Sequence, residues 1–180
     1  MDIFVKGVSP SEEKFDGSSL RILIVHTRWN YQIVEALVRG AEETMISQYQ
    51  VKRENITVQS VAGAYELPFT AQRLILASRA QAQANNAKIF DAVICIGVLI
   101  KGATMHFEYI AEAVAQGIMR VSLDNGVPVV FGVLTCLNDE QALERAGLGD
   151  KPGKHNHGID WGQCAVEMAC KNRRWMDGII

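Results

Sequence analysis

Apolar positions along the chain follow two rhythms that take turns. Arg21–His26 (RILIVH) is a short apolar run of strand type, and Ile56–Val61 (ITVQSV) alternates as a strand does. Between them, from Gln32 to Gln48, the residues Ile33, Val34, Leu37, Val38, Ala41 and Met45 keep the spacing of one helix face. Pro68 suits the first turn of a helix, where no backbone donor is needed. That helix is expected to run past Leu74 and Ile75 to about Ala84. Ala92–Leu99 is continuously apolar, the pattern of a parallel strand buried on both faces. Met105–Leu123 returns to helical spacing through Ile110, Val114, Ile118 and Val121, and Val127–Leu134 (VPVVFGVL) is the fourth strand. Asn138 followed by Gln141, and Asp160 followed by Gln163, read as two helix starts, the second heading a helix to about Arg174.

Strand then helix, four times over, predicts an α/β fold with a four-stranded parallel sheet and helices on both faces. Right-handed crossovers wind such a sheet doubly and put ligands beyond the carboxyl ends of the strands. The loops after His26, Val61, Ile96 and Leu134 are therefore where chemistry is expected. Residues 1–19, with SPSEEKFDGSS near their end, read as an arm, either frayed or lying on a neighbouring subunit, and 20–180 as the domain. Gln81–Lys88 is a polar helix end and loop with no chemistry of its own.

Composition narrows the function classes. At 180 residues the chain has room for one domain, and 48% hydrophobic residues are enough for a real core. A formal charge of −2 does not suit a nucleic-acid or membrane coat. The longest apolar run, Ala92–Ile100, is less than half of the ~20 residues a membrane-spanning helix needs. The mixed, acidic start resembles neither a signal nor a transit peptide, so a cytoplasmic location is expected. Cys95, Cys136, Cys164 and Cys170 are scattered with no CxxC pair, the usage of reduced thiols filling space.

The strand-end loops carry the candidate chemistry. Trp29, just after the first strand, either presents a flat face to a planar ligand or packs under the next helix. After the second strand, Gly63, Ala64, Tyr65 and Glu66 precede Pro68; Glu66 is either an ordinary helix-start acid or an acceptor for a polyol or amine. After the third, Lys101, Gly102, Ala103 and Thr104 bring free N–H groups, a hydroxyl and a cation to a helix start, an anion site suited to phosphate. His106, in the first turn beyond, can move protons on a substrate held over the loop. The P-loop pattern is absent, so ATP and GTP are not implied. His155 and His157 have the look of metal ligands, but no Cys or acidic residue stands with them at zinc spacing, and no metal is expected. A receiver module is excluded too, because the strand ends lack its acidic cluster. The residues alone lead to an enzyme that handles a phosphorylated small molecule, with a non-catalytic binding module as the alternative.

In order along the chain, Arg28–Asn30 (RWN), Gly63–Pro68 (GAYELP), Gly97–His106, Pro128–Gly132 (PVVFG) and Glu140–Gly147 (EQALERAG) resemble the 6,7-dimethyl-8-ribityllumazine synthases, and His155–Gly158 (HNHG) with Trp29 is similar to their fungal branch. The resemblance covers Leu20 to Arg174. It implies a flavodoxin-like three-layer αβα sandwich that is oligomeric. It implies a transferase of riboflavin biosynthesis that condenses 5-amino-6-ribitylamino-2,4-pyrimidinedione with 3,4-dihydroxy-2-butanone 4-phosphate, with no cofactor. By resemblance Trp29 stacks on the pyrimidine ring, Ala64 and Glu66 hold the ribityl chain, and Leu99 and Ile100 line the ring site. Gly102, Ala103 and Thr104 form the phosphate loop with Arg145 as its cation, and His106 shuttles protons. Phe131, Arg145 and His157 are then expected from the adjacent subunit. Many bacterial members carry Lys where His157 stands. The loop from Gly147 to Gly158 is longer than in shell-forming members, so an isolated homopentamer is expected. The alternative on the same fold is a flavin- or lumazine-binding protein without turnover.

Overall fold

A computed structural model describes residues 11–149 and 154–180. Strands β1 (Ile22–Thr27), β2 (Ile56–Val61), β3 (Ala92–Ile100) and β4 (Val129–Cys136) form one parallel sheet in the order β2-β1-β3-β4. The helices are α1 (Tyr31–Tyr49), α2 (Leu67–Asn85), α3 (His106–Asn125), α4 (Asp139–Arg145) and α5 (His157–Met176). The strand alternation sorts the core into two layers. Ile22 and Ile24 of β1 and Ile94, Ile96 and Val98 of β3 face α1, α4 and α5, while Leu23, Val25, Val93 and Cys95 face α2 and α3. This is the expected three-layer α/β sandwich.

Most element bounds fall within one or two residues of the sequence expectation. The last helix differs. It begins at His157, and its cap is Asn156, whose Oδ1 accepts from the Gly158 N–H at 2.8 Å. The reason lies in its neighbour. A Cβ on Gly158 would stand 2.0 Å from the Leu37 carbonyl oxygen, and one on Gly162 2.7 Å from that of Ala41. Helices α1 and α5 thus touch backbone to backbone, and the Asn156 amide donates to the Ala36 carbonyl at 2.8 Å to fasten the contact. With its cap duty taken, Asp160 is free for other partners.

Within the expected arm, residues 1–10 lie outside the described residues. From Ser11 on, the chain runs along its own body: the Gly17 N–H donates to Tyr49 O at 2.8 Å, and Arg173 reaches both Ser19 Oγ and the Asp91 carboxylate. The four cysteines are unpaired. Burial pushes the Cys95 thiol up to about 12, so it packs and does not react.

Candidate active site

The carboxyl ends of β1, β2 and β3 open onto a cleft of about 710 Å³. One wall is Trp29, a residue 70% exposed, so it does not pack beneath the following helix. Asn30, left-handed at φ 54°, turns the chain sharply into α1 and leaves that indole at the rim. Gly63 lets the second loop come close: a Cβ there would meet Glu66 Oε2 at 3.2 Å and Trp29 Cδ1 at 3.5 Å. The Gly63 N–H donates to Glu66 Oε2 at 3.0 Å, which fixes the carboxylate against the loop. Ala64 is buried, whereas Tyr65 and Glu66 are open to the cleft. Leu99 and Ile100 form its apolar floor, with Phe107 and Ile110 of α3 beside them.

The third loop closes the cleft. Gly102, Thr104 and His106 line it. Nothing lies within 4 Å of where a Gly102 Cβ would be, so a ligand can come up against the backbone there. Among the described residues, no partner takes the N–H groups of Gly102, Ala103 and Thr104, which gives the loop donors for an anion. Lys101 does not line the cleft. Its ammonium pairs with Glu108, in the first turn of α3, and lies over the Phe107 ring. The pair bridges Gly102 to Phe107 like a brace. The other Glu108 oxygen, Oε2, is buried without a hydrogen-bond partner.

Phe131, Arg145 and His157 line a different cleft, about 530 Å³, between β4, α4 and α5. Trp161 of α5 packs onto β4 there, at a position where a Cβ on Gly132 would lie 3.0 Å from the indole. Arg145 falls in the last turn of the seven-residue α4, started by Asn138, whose Oδ1 accepts from the Gln141 N–H at 2.9 Å. His157 Nδ1 meets Asp160 Oδ2 at 3.0 Å, and His155 Nε2 meets the same carboxylate at 2.9 Å. Burial first, then the Arg145 and His155 charges, push the His157 imidazole below its ordinary value, against the pull of Asp160.

One chain therefore brings together Trp29, Gly63 to Glu66, Leu99, Ile100, Gly102, Thr104 and His106, and holds Phe131, Arg145 and His157 apart from them. Ala103 belongs to the loop without lining either cleft. Three participants escaped the sequence reading. Asp139 lines the first cleft from the start of α4, and only the fold brings it there. Glu108 neutralises the lysine read as an anion ligand; its position seven residues on carried no signal. Asp160 joins the two histidines that were judged to lack an acid. The i, i+3 spacing of His157 and Asp160 is a usable signal, hidden when Asp160 is read as the cap, four residues beyond the observed cap Asn156.

The family model described as 6,7-dimethyl-8-ribityllumazine synthase matches residues 19–173, a span that takes in both clefts. The chain belongs to the 6,7-dimethyl-8-ribityllumazine synthase family. It is 59% identical to the 6,7-dimethyl-8-ribityllumazine synthase of Schizosaccharomyces pombe, over 93% of this chain and 96% of that protein. It is 47% identical to the protein of that name from Pyricularia oryzae, over 94% and 96% of the two chains. Both lumazine synthases are fungal, as the HNHG segment suggested. Both carry the name of an enzyme, which supports turnover over the non-catalytic alternative.

Proposed function

We propose that this chain condenses 5-amino-6-ribitylamino-2,4-pyrimidinedione with 3,4-dihydroxy-2-butanone 4-phosphate to give 6,7-dimethyl-8-ribityllumazine, phosphate and water. The first cleft supplies what the pyrimidine needs. Trp29 offers a face to the flat ring, Leu99 and Ile100 a dry floor, and Glu66 with Ala64 and Tyr65 a polar wall for the ribityl hydroxyls. The amine attacks the ketone and water leaves as the imine forms. Phosphate then departs by elimination, and the second nitrogen closes the ring with loss of water. His106, at the mouth of the loop, takes and returns the protons. The N–H groups of Gly102, Ala103 and Thr104 receive the phosphate oxygens.

The single observation that carries this reading is the separation of the two clefts. The first holds donors for phosphate, and its nearest cation, Lys101, is engaged by Glu108. The second holds Arg145 and His157. Two copies of the chain, meeting first cleft to second, give the leaving phosphate its guanidinium and cover the ring with Phe131. The active unit is then a homo-oligomer, which we take to be a pentamer with the loop before α5 obstructing larger assembly; light scattering on the purified protein reports its mass. Residues 150–153 of that loop lie outside the described residues. No described helix is long and apolar enough to cross a membrane. We place turnover in the cytoplasm, on the four unpaired cysteines.

The test is turnover. Both substrates are mixed with the purified protein, and the lumazine chromophore is followed against a no-enzyme control, since amine and ketone also condense unaided. Acceleration that vanishes in Arg145→Ala is the expected result. No acceleration, with riboflavin still bound tightly, overturns it.

A further inference from the structure

His155, His157 and Asp160 converge where the loop before α5 enters its first turn. Each offers one ligand atom, and the three atoms lie within 4.8 Å of one another, the one such group among the described residues. His157 and Asp160 share a helix face at i and i+3, while His155 stands ahead of the Asn156 cap and turns back onto them. The two rings meet edge to face at 82°, with centroids 5.3 Å apart. A nitrogen of each ring approaches the same carboxylate, at 2.9 and 3.0 Å. Ligand atoms ~2.1 Å from one ion stand about 3.0 Å apart at a right angle and about 3.4 Å apart at the tetrahedral angle. The two histidine–carboxylate separations are those of N–H···O hydrogen bonds, and a shift of about 0.4 Å in each opens them to the tetrahedral spacing.

We propose that His155, His157 and Asp160 bind one divalent transition ion of the zinc class, with two imidazoles and one carboxylate as protein ligands and the remaining positions left to water or a phosphate oxygen. Two nitrogen donors with one oxygen favour zinc-type ions over magnesium or calcium, which take oxygen shells. The competing reading is that Asp160 only steadies His157. That role needs one imidazole, yet the same carboxylate also holds His155, whose side chain is 49% exposed. The side chains are one-third to one-half exposed, so the ion exchanges with solvent and does not hold the fold together.

A filled site removes His157 from its place beside Arg145. Zinc then inhibits the synthase, and this consequence alone rests on the proposed function. The experiment titrates Zn²⁺ into the purified full-length protein by calorimetry, without substrates, in a phosphate-free, non-chelating buffer. One Zn²⁺ per chain is expected, with affinity weakened at least ~10-fold in both His155→Ala and Asp160→Asn. A wild-type protein that takes up no Zn²⁺, or a His155→Ala variant that binds as well as wild type, overturns the site. In a parallel assay His155→Ala is expected to keep its basal turnover and resist added Zn²⁺, while the wild type is inhibited. Equal inhibition of both overturns the inhibitory consequence. Because binding is read without substrates, failure of the synthase reading leaves the zinc result intact and distinguishable.

Discussion

The two clefts teach different lessons about how this sequence makes a site. The first is assembled from loops that each follow a strand directly, so chain order brings its residues together once the strands are parallel. The second lies between β4, α4 and α5, and its shape depends on how α5 crosses α1. The first is open around its glycine, with nothing near a Cβ at Gly102; the second rests on a glycine with no room at all, Gly158. The first offers backbone donors and a cation that is already paired, whereas the second offers Arg145.

A matched pair of glycine substitutions breaks the comparison hardest. Gly158→Ala drives a methyl into a backbone carbonyl that cannot rotate away, and should cost about 3 kcal/mol, read as a lowered urea midpoint. Gly102→Ala should leave that midpoint unchanged and instead weaken use of the phosphorylated substrate. Equal midpoint losses would mean that the two clefts are not held differently. Next in size, Arg145→Ala should lower kcat/KM for the phosphorylated substrate about 100-fold, the scale of a charge-assisted hydrogen bond. Riboflavin stacking, followed by quenching of Trp29 fluorescence, should survive. Loss of both would place Arg145 against the ring.

The Lys101–Glu108 pair sharpens the contrast further. If it braces the loop, Lys101→Met and Glu108→Gln should each cost about 10-fold in KM for that substrate, and the double variant should be no worse than either. If Lys101 were itself an anion ligand, Glu108→Gln would release it and tighten binding. The smallest effect concerns His157. Its pKa is lowered in the folded chain, so the unfolded chain binds more protons below the unfolded value of 6.5. Stability from this group is therefore present above that value and is lost as pH falls through the lower, folded value. The urea midpoint of His157→Asn should fall less than that of wild type between about pH 8 and about pH 5.

Legibility followed the same division. Trp29, Glu66, Gly102 and His106 were readable because each stands within a few residues of an apolar run whose end marks the sheet edge. Lys101 was readable as a cation but its pairing with Glu108 was not, since that partner lies across a loop on a helix. The late start assigned to α5 had one cause: Asp160 matched a local capping pattern, and only the close approach of Gly158 to α1 puts Asn156 in that role.

By itself the sequence determined the α/β class, the strand ends and the loops that carry the first cleft, because hydrophobic period and turn chemistry are local properties of the chain. The tertiary structure decided three other matters. It gathered Arg145 and His157 into a second cleft, tied Lys101 to Glu108, and set the start of α5 at His157 through the close approach of Gly158 to α1. Each depends on the crossing of helices over a sheet, or on a side chain reaching across a loop, and no local period encodes those distances.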